Sequence, residues 1–311
     1  MTEKPRVAVI GVGYLGRFHA LIYSRMSEVE LVGVADSDAE RVHSVASEIG
    51  CPAFTDPNDL IGMVDAVSVV VPTSAHREVA APFLRGGIHV LLEKPIAATC
   101  LEGEQLVDMA HRSGAILQIG HLERFNAGVM ALADRISEPR YVDAQRIGGF
   151  VGRATDVDVV SDLMIHDIDV ILSLMAAELR DVRAVGTPVL TDHVDIASAR
   201  LEFANGAVAN VVASRVSDKK ARRIRVFQQR MYLSLDFVEQ TVDVAYPKVQ
   251  PGSERPEIVR EHITVAPVKP LDRELEAFVN CVRRRERPLV DGRVGLEALD
   301  VALRVQSSIR A

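Results

Sequence analysis

The sequence predicts an α/β Rossmann domain, a doubly wound parallel sheet, followed by an α+β C-terminal domain with a large, mainly antiparallel sheet. Three observations predict it. Apolar strand-like runs alternate with helical segments over the first 120 residues. Strands then follow one another through tight turns over most of the remainder. A glycine-rich turn, Gly11-Val12-Gly13-Tyr14-Leu15-Gly16, joins the first strand to the first helix. A chain of 311 residues, 48% hydrophobic and 25% charged, can build two cores of ordinary size. The expected domains are 1–120 and 121–311, with no linker composition between them.

The elements follow in order. Residues 6–10 are a short apolar strand that ends in glycine, 14–25 a helix, 30–35 a strand and 39–49 a helix. The run 66–71 (AVSVVV) stops at Pro72, because proline cannot donate to a central ladder. A helix over 78–85 stops at Gly86-Gly87, and a strand over 89–92 follows. Helix 101–113 is capped by Gly114, and a strand over 115–119 closes this half. Beyond residue 120 the strand-like runs are 141–150, 182–190, 195–203, 207–217, 222–228, 232–246 and 258–265. Asn205-Gly206 is a two-residue hairpin signal, since both residues tolerate positive φ. Helices are expected over 162–177, 271–285 and 293–310.

The bulk properties exclude several classes. A net charge of −7 disfavours nucleic acid or an acidic membrane as partner. Cys51, Cys100 and Cys281 are odd in number and form no CxxC, which fits a reducing cytoplasm better than a disulfide framework or a zinc ribbon. The first ten residues lack the form of a signal peptide, and no apolar stretch reaches the length of about 18 residues that a membrane span needs. A cytoplasmic protein without a membrane segment is expected.

The glycine turn points to a dinucleotide. Gly11 permits the tight turn, Gly13 lets backbone approach a pyrophosphate at the start of the helix beside Tyr14 and Leu15, and Gly16 allows close helix–strand packing. The next strand ends at Asp36, 20 residues after Gly16. A carboxylate there accepts hydrogen bonds from both adenosine ribose hydroxyls and repels a 2′-phosphate, so NAD is favoured over NADP. Asp38 adds to that repulsion.

Two further segments carry acid–base chemistry. Glu93-Lys94-Pro95 follows the strand over 89–92, at the strand end that faces the ligand crevice in such sheets. A lysine there can polarise an oxygen, or it can be an ordinary surface lysine. Asp162, His166 and Asp169, at i, i+4 and i+7, form a polar stripe on an otherwise apolar helix. An aspartate one turn from a histidine can hold its tautomer and raise its basicity. A satisfied core histidine with acidic caps, or a three-ligand metal site, are the other readings of this stripe. No further His or Cys cluster accompanies it, so no metal is expected.

Taken together, these three motifs resemble the glucose–fructose oxidoreductase/inositol dehydrogenase/rhizopine catabolism (Gfo/Idh/MocA) family, and the resemblance spans the chain. It implies a nicotinamide enzyme acting on a sugar, cyclitol or sugar nucleotide. It also implies Lys94 and His166 as the catalytic pair, with Asp162 as partner and Asp169 near substrate hydroxyls. Glu93 would lie at the nicotinamide ribose, and Pro72-Thr73-Ser74-Ala75-His76 along the cofactor, with Thr73 and His76 in contact.

Gly120-His121-Leu122-Glu123-Arg124-Phe125-Asn126, the segment 161–169 and Ala213-Ser214-Arg215-Val216-Ser217 resemble more narrowly the UDP-N-acetylglucosamine 3-dehydrogenase subfamily, which opens diamino-sugar synthesis for lipid A. Ala127 stands where that subfamily has proline. The likeness implies Arg124, Asn126 and Arg215 at a nucleotide-sugar substrate, and family analogy implies a homodimer or homotetramer.

Arg215, Lys219, Lys220, Arg222, Arg223 and Arg225 crowd one hairpin, where they could meet a diphosphate or serve solubility. Arg124 and Asn126 could equally be a capped loop. Rival functions are another sugar or inositol dehydrogenase, a redox-neutral glycosidase using held NAD, and a non-catalytic NAD sensor.

Overall fold

The computed structural model describes residues 4–150, 157–249, 255–265 and 268–310. The chain divides into two compact units, Met1–Leu122 with Lys269–Leu299, and Glu123–Val268 with Asp300–Ala311. A single cut at residue 120 does not describe this division, because a C-terminal segment packs with the first unit.

The first unit alternates β1 (Arg6–Ile10), α1 (Tyr14–Tyr23), β2 (Glu30–Ala35), α2 (Ala39–Ile49), β3 (Ala53–Phe54), β4 (Ala66–Val69), α3 (His76–Arg85), β5 (His89–Glu93), α4 (Cys100–Ser113) and β6 (Leu117–Gly120). Its strands pair in parallel in the order β3-β2-β1-β4-β5-β6. β1, β4 and β5 are buried almost throughout, because helices cover both faces of a parallel sheet. The strand order reverses between β1 and β4, which opens a crevice beyond their C-terminal ends.

α2 is delimited by Asp38, whose side chain accepts from the Arg41 N–H, and by Gly50 in the left-handed region. α4 begins with a capping box between Thr99 and Glu102. The helix α7 (Pro270–Arg284) also belongs to this unit. Its Leu275, Phe278, Val279 and Val282 enter the core formed by Val7, Val9, Tyr23, Val34 and Val42.

The second unit is built on eight strands. They are β7 (Pro139–Ile147), β8 (Leu179–Thr187), β9 (Ile196–Phe203), β10 (Val208–Ser214), β11 (Ala221–Gln228), β12 (Met231–Asp236), β13 (Thr241–Lys248) and β14 (Glu257–Thr264). Their order is β14-β13-β12-β11-β7-β10-β9-β8, antiparallel except where β10 lies parallel to β7. Alternate residues Val142, Ala144, Ala209, Val211, Ile224, Val226, Leu233 and Leu235 turn to the buried face.

The short helix α5 (Ala127–Ala133) and the helix α6 (Ile165–Leu174) belong to this unit, and α8 (Gly292–Arg310) is shared between the two units. The expected strand over 232–246 is two strands, with a turn at which Gln240 takes φ 52°. The expected helix over 162–177 begins with a π-helical turn, Val160–Met164, before α6. No described helix is long and apolar enough to cross a membrane.

Candidate active site

In the first unit the glycine turn has distinct duties for each glycine. Gly11 takes φ +84°, and a Cβ there would meet the Val70 carbonyl oxygen at 2.4 Å. A Cβ on Gly16 would lie 1.8 Å from the Gly11 carbonyl oxygen, so Gly16 sets the closeness of α1 to the turn. A Cβ on Gly13 would meet no protein atom within 4 Å. Gly13 is also the N-cap of α1 and offers no side-chain cap, which leaves the first N–H groups of the helix for an anion.

Beside this turn lies a cavity of about 560 Å³, lined in part by Gly11, Gly13, Asp36, Arg41, Val71 and Pro72. A bare backbone cradle, an uncapped helix start and a carboxylate at the end of β2 are the parts a dinucleotide requires. Gly13→Ala should therefore fold with wild-type Tm but lose about 1–3 kcal/mol of NAD affinity, the range for a methyl forced into a packed contact. Gly16→Ala should lower Tm instead. Thermal melting and calorimetric titration separate the two.

Asp36 is almost buried and accepts four hydrogen bonds. Oδ2 receives the Val12 N–H at 2.8 Å and Arg41 Nε at 3.1 Å. Oδ1 receives the Asp38 N–H at 3.0 Å and Arg41 Nη2 at 2.9 Å. Burial pushes this carboxyl up, but the hydrogen bonds from Arg41, Asp38 and Val12 outweigh it and hold it below the usual carboxylate range. Sequence reasoning missed Arg41. Its position on the first turn of α2, five residues after Asp36, was the available signal.

The segment after β5 carries Glu93, Lys94 and Pro95, and the Lys94–Pro95 peptide is cis. Lys94 is half-buried. Glu93 is buried, with Oε1 3.4 Å from Nε2 of His19 on α1 and Oε2 accepting the Lys94 N–H at 3.2 Å. A Cβ on Gly120 would come within 2.9 Å of this carboxylate, so the glycine at the end of β6 makes its seat.

His76 was expected along the cofactor, but its imidazole is buried in the protein. Nδ1 lies 2.9 Å from the Pro95 carbonyl oxygen and Nε2 3.0 Å from that of Val71. The ring thereby ties the segment after β4 to the one that bears Lys94. Burial lowers its pKa, partly offset by the two carbonyls. Thr73 lies half-buried in a 3-10 turn just before α3, and Tyr14 is exposed at the start of α1 with Leu15 half-buried beside it.

In the second unit Asp162 lies in the π turn and His166 is the second residue of α6, both half-buried. π-helical turns often mark functional positions. Asp169 is buried one turn further on and pairs with Arg124 Nη1 at 3.4 Å. Next to His166, Asp167 receives a two-pronged contact from Arg146 on β7, with Nε at 3.0 Å and Nη2 at 2.9 Å. Arg146 Nη1 also donates to Glu123 at 2.8 Å, and its guanidinium lies 5.1 Å from the Phe237 ring centroid. Burial acts to lower the Arg146 pKa, but the two carboxylates outweigh it and hold it charged. Arg146 sits at a buried position of a strand whose alternation reads as ordinary, which is why sequence reasoning passed over it.

Asn126 is the N-cap of α5. Its side chain accepts the Gly128 N–H at 2.9 Å and donates to the Phe237 carbonyl at 3.3 Å. Ala127 is then the first helical residue, where proline or alanine fits equally without a lost hydrogen bond. Arg215 is buried, with Nε donating to Asp195 at 2.6 Å and Nη2 to Thr191 at 3.1 Å. Asp195 also accepts the N–H groups of Val189, Leu190 and Thr191. Against the upward push of burial, these donors and Arg215 keep its carboxyl far below the usual range. Arg225 pairs with Asp143. Among the described residues no group of three or more His, Cys, Asp or Glu side chains is arranged to hold a metal ion.

Comparisons with known proteins identify the family. Residues 5–121 match the Gfo/Idh/MocA oxidoreductase family, described as an NAD-binding Rossmann fold, and residues 128–233 match a Gfo/Idh/MocA C-terminal domain. The chain is 40% identical to a UDP-N-acetylglucosamine 3-dehydrogenase of Acidithiobacillus ferrooxidans over 98% of this chain and 97% of that one. A solved structure of that enzyme superposes with a TM-score of 0.92 over the same shares of the two chains. A scyllo-inositol 2-dehydrogenase (NAD(+)) of Bacillus subtilis is 30% identical over 70% of this chain and 69% of its own. The chain is thus an NAD-binding oxidoreductase and belongs to the Gfo/Idh/MocA family.

Proposed function

We propose that this chain oxidises the 3-hydroxyl of UDP-N-acetylglucosamine with NAD. The observation that carries the reading is the 40% identity, along nearly the whole of both chains, to the enzyme of that name. Bound NAD supplies the hydride acceptor. His166 takes the proton from the sugar hydroxyl, and Asp162 fixes its tautomer. Lys94 donates a hydrogen bond to the same oxygen as negative charge builds on it. Arg124 and Asp169 hold the sugar. Asn126 and Arg215 complete the substrate site, Asn126 while capping α5 and Arg215 while paired with Asp195.

In this reading the reaction is cytoplasmic and opens diamino-sugar synthesis for lipid A. A homodimer or homotetramer would form through the open face of the eight-stranded sheet, where Tyr141, Phe227 and Tyr232 cluster half-buried.

The test supplies NAD with UDP-N-acetylglucosamine, UDP-glucose, myo-inositol or glucose and follows NADH, with a 2-oxo acid or an aminotransferase to relieve the equilibrium. Turnover with UDP-N-acetylglucosamine alone is the expected result. Turnover with myo-inositol or glucose instead removes the nucleotide-sugar assignment. Sugar release without net NADH would make it a glycosidase, and NAD binding with no turnover a sensor.

A further inference from the structure

Arg124 and His166 each have a buried carboxylate as chain neighbour, Glu123 and Asp167. Both carboxylates bind one guanidinium, that of Arg146 on β7. Nε and Nη2 fork onto Asp167 at 3.0 and 2.9 Å, and Nη1 reaches Glu123 at 2.8 Å. A direct link runs between the same two elements, from Arg124 Nη1 to Asp169 at 3.4 Å. The 3-10 turn Leu122–Phe125 is therefore fastened to α6 both through Arg146 and through Arg124. The guanidinium is braced as well. The Phe237 ring centroid lies 5.1 Å from it, and the Phe237 carbonyl accepts Asn126 Nδ2 at 3.3 Å, just past the same turn.

We propose that Arg146 is a positioning residue that fixes the spacing and orientation of His166 relative to Arg124. This rests on the roles given to those two residues under the proposed function. Arg146 is 4% exposed, so it acts through its two carboxylates and not on the substrate. Stability is a weak reason for such a cluster, because apolar side chains of similar volume often stabilise a core as well as buried ions do. What the cluster supplies is one geometry. A planar guanidinium fork holds two carboxylates in a single arrangement, whereas a lysine ammonium is a point charge without a fork. Proton transfer to His166 from a sugar that Arg124 helps to hold depends on that arrangement, since a misplacement of about 1 Å can cost about a hundredfold in rate.

The test uses the full chain with NAD and UDP-N-acetylglucosamine, or the sugar of the panel that turns over in its place. Three conservative variants are compared with wild type: Arg146→Lys, Asp167→Asn and Glu123→Gln. Calorimetric NAD titration counts the folded sites, and kcat is expressed per site. Arg146→Lys should lower kcat at least about tenfold and raise KM by about tenfold. Asp167→Asn should act chiefly on kcat, through His166, and Glu123→Gln chiefly on KM, through Arg124. A merely structural triad would lower Tm and the number of NAD sites while per-site kcat and KM stay at wild-type values in all three variants. That result, beside an inactive His166→Asn chain, overturns the positioning role and leaves the proposed function standing. A His166→Asn chain that keeps its turnover, or a wild-type chain that oxidises no sugar of the panel, overturns the proposed function and this role with it.

Discussion

Replacing His166 by asparagine is expected to lower turnover at least about a hundredfold, the loss for removing a positioned general base, while NAD affinity stays unchanged. Asparagine keeps a polar side chain on the half-buried second residue of α6 but cannot take a proton at neutral pH. α6 is seated by Ile165, Ile168, Ile171 and Leu174, all buried. The glycine turn, Asp36 and the cavity beside them, the parts a dinucleotide requires, are left unchanged by the substitution, so cofactor binding should not respond. Steady-state rates with the substrate found in the panel, alongside calorimetric NAD titration, measure both quantities. Turnover within a few-fold of wild type would remove His166 from the mechanism.

Much of this was legible in the sequence. The register of Gly11, Gly13, Gly16 and Asp36 is a local signal, since one βαβ unit places all four; the structure lines one cavity with Gly11, Gly13 and Asp36 and packs Gly16 against the turn. The alternation of strand and helix and the change to an antiparallel sheet follow from apolar periodicity and turn residues, which are local as well, whereas the strand order, with β10 beside the distant β7, does not. What escaped depends on distant partners. Arg146 meets Asp167 and Glu123 across elements separated by more than 20 residues, and no pattern within β7 marks it. The π turn at Val160–Met164 breaks the 3.6-residue rhythm that a single helix over 162–177 assumed. His76 reads from sequence as a loop residue beside a ligand, and only the fold reveals two main-chain carbonyls flanking its ring.

Arg146→Ala is expected to cost about 3–5 kcal/mol of stability, because it removes the one cation of a buried triad and leaves two carboxylates facing each other. The wild-type triad is held by three charge-assisted hydrogen bonds and by the Phe237 face, none of which a methyl group replaces. The variant should also change its pH response. Burial already pushes the Asp167 carboxyl up, and Arg146 is the main group opposing that push. Without it, the folded-state pKa rises further above the unfolded value. Protonation then favours the folded form, so the stability deficit should shrink as pH falls from neutral into the acid range. Denaturant midpoints at pH 7.5 and pH 5 measure this. A deficit that is small, or one that grows on acidification, would show that the triad does not behave as an ionised cluster.

The return of α7 to the first unit bears on how this protein can be made and recombined. Leu275, Phe278, Val279 and Val282 fill the same core as Val7, Val9 and Tyr23, which stand near the start of the chain. During synthesis that core stays open until residues 269–299 have left the ribosome, so the cofactor-binding unit matures late although its first strand is made first. For the same reason the leading segment is not a transplantable cassette. A gene fragment ending at Leu122 would encode the complete parallel sheet and the glycine turn, yet it would leave that apolar surface bare to water and to other chains.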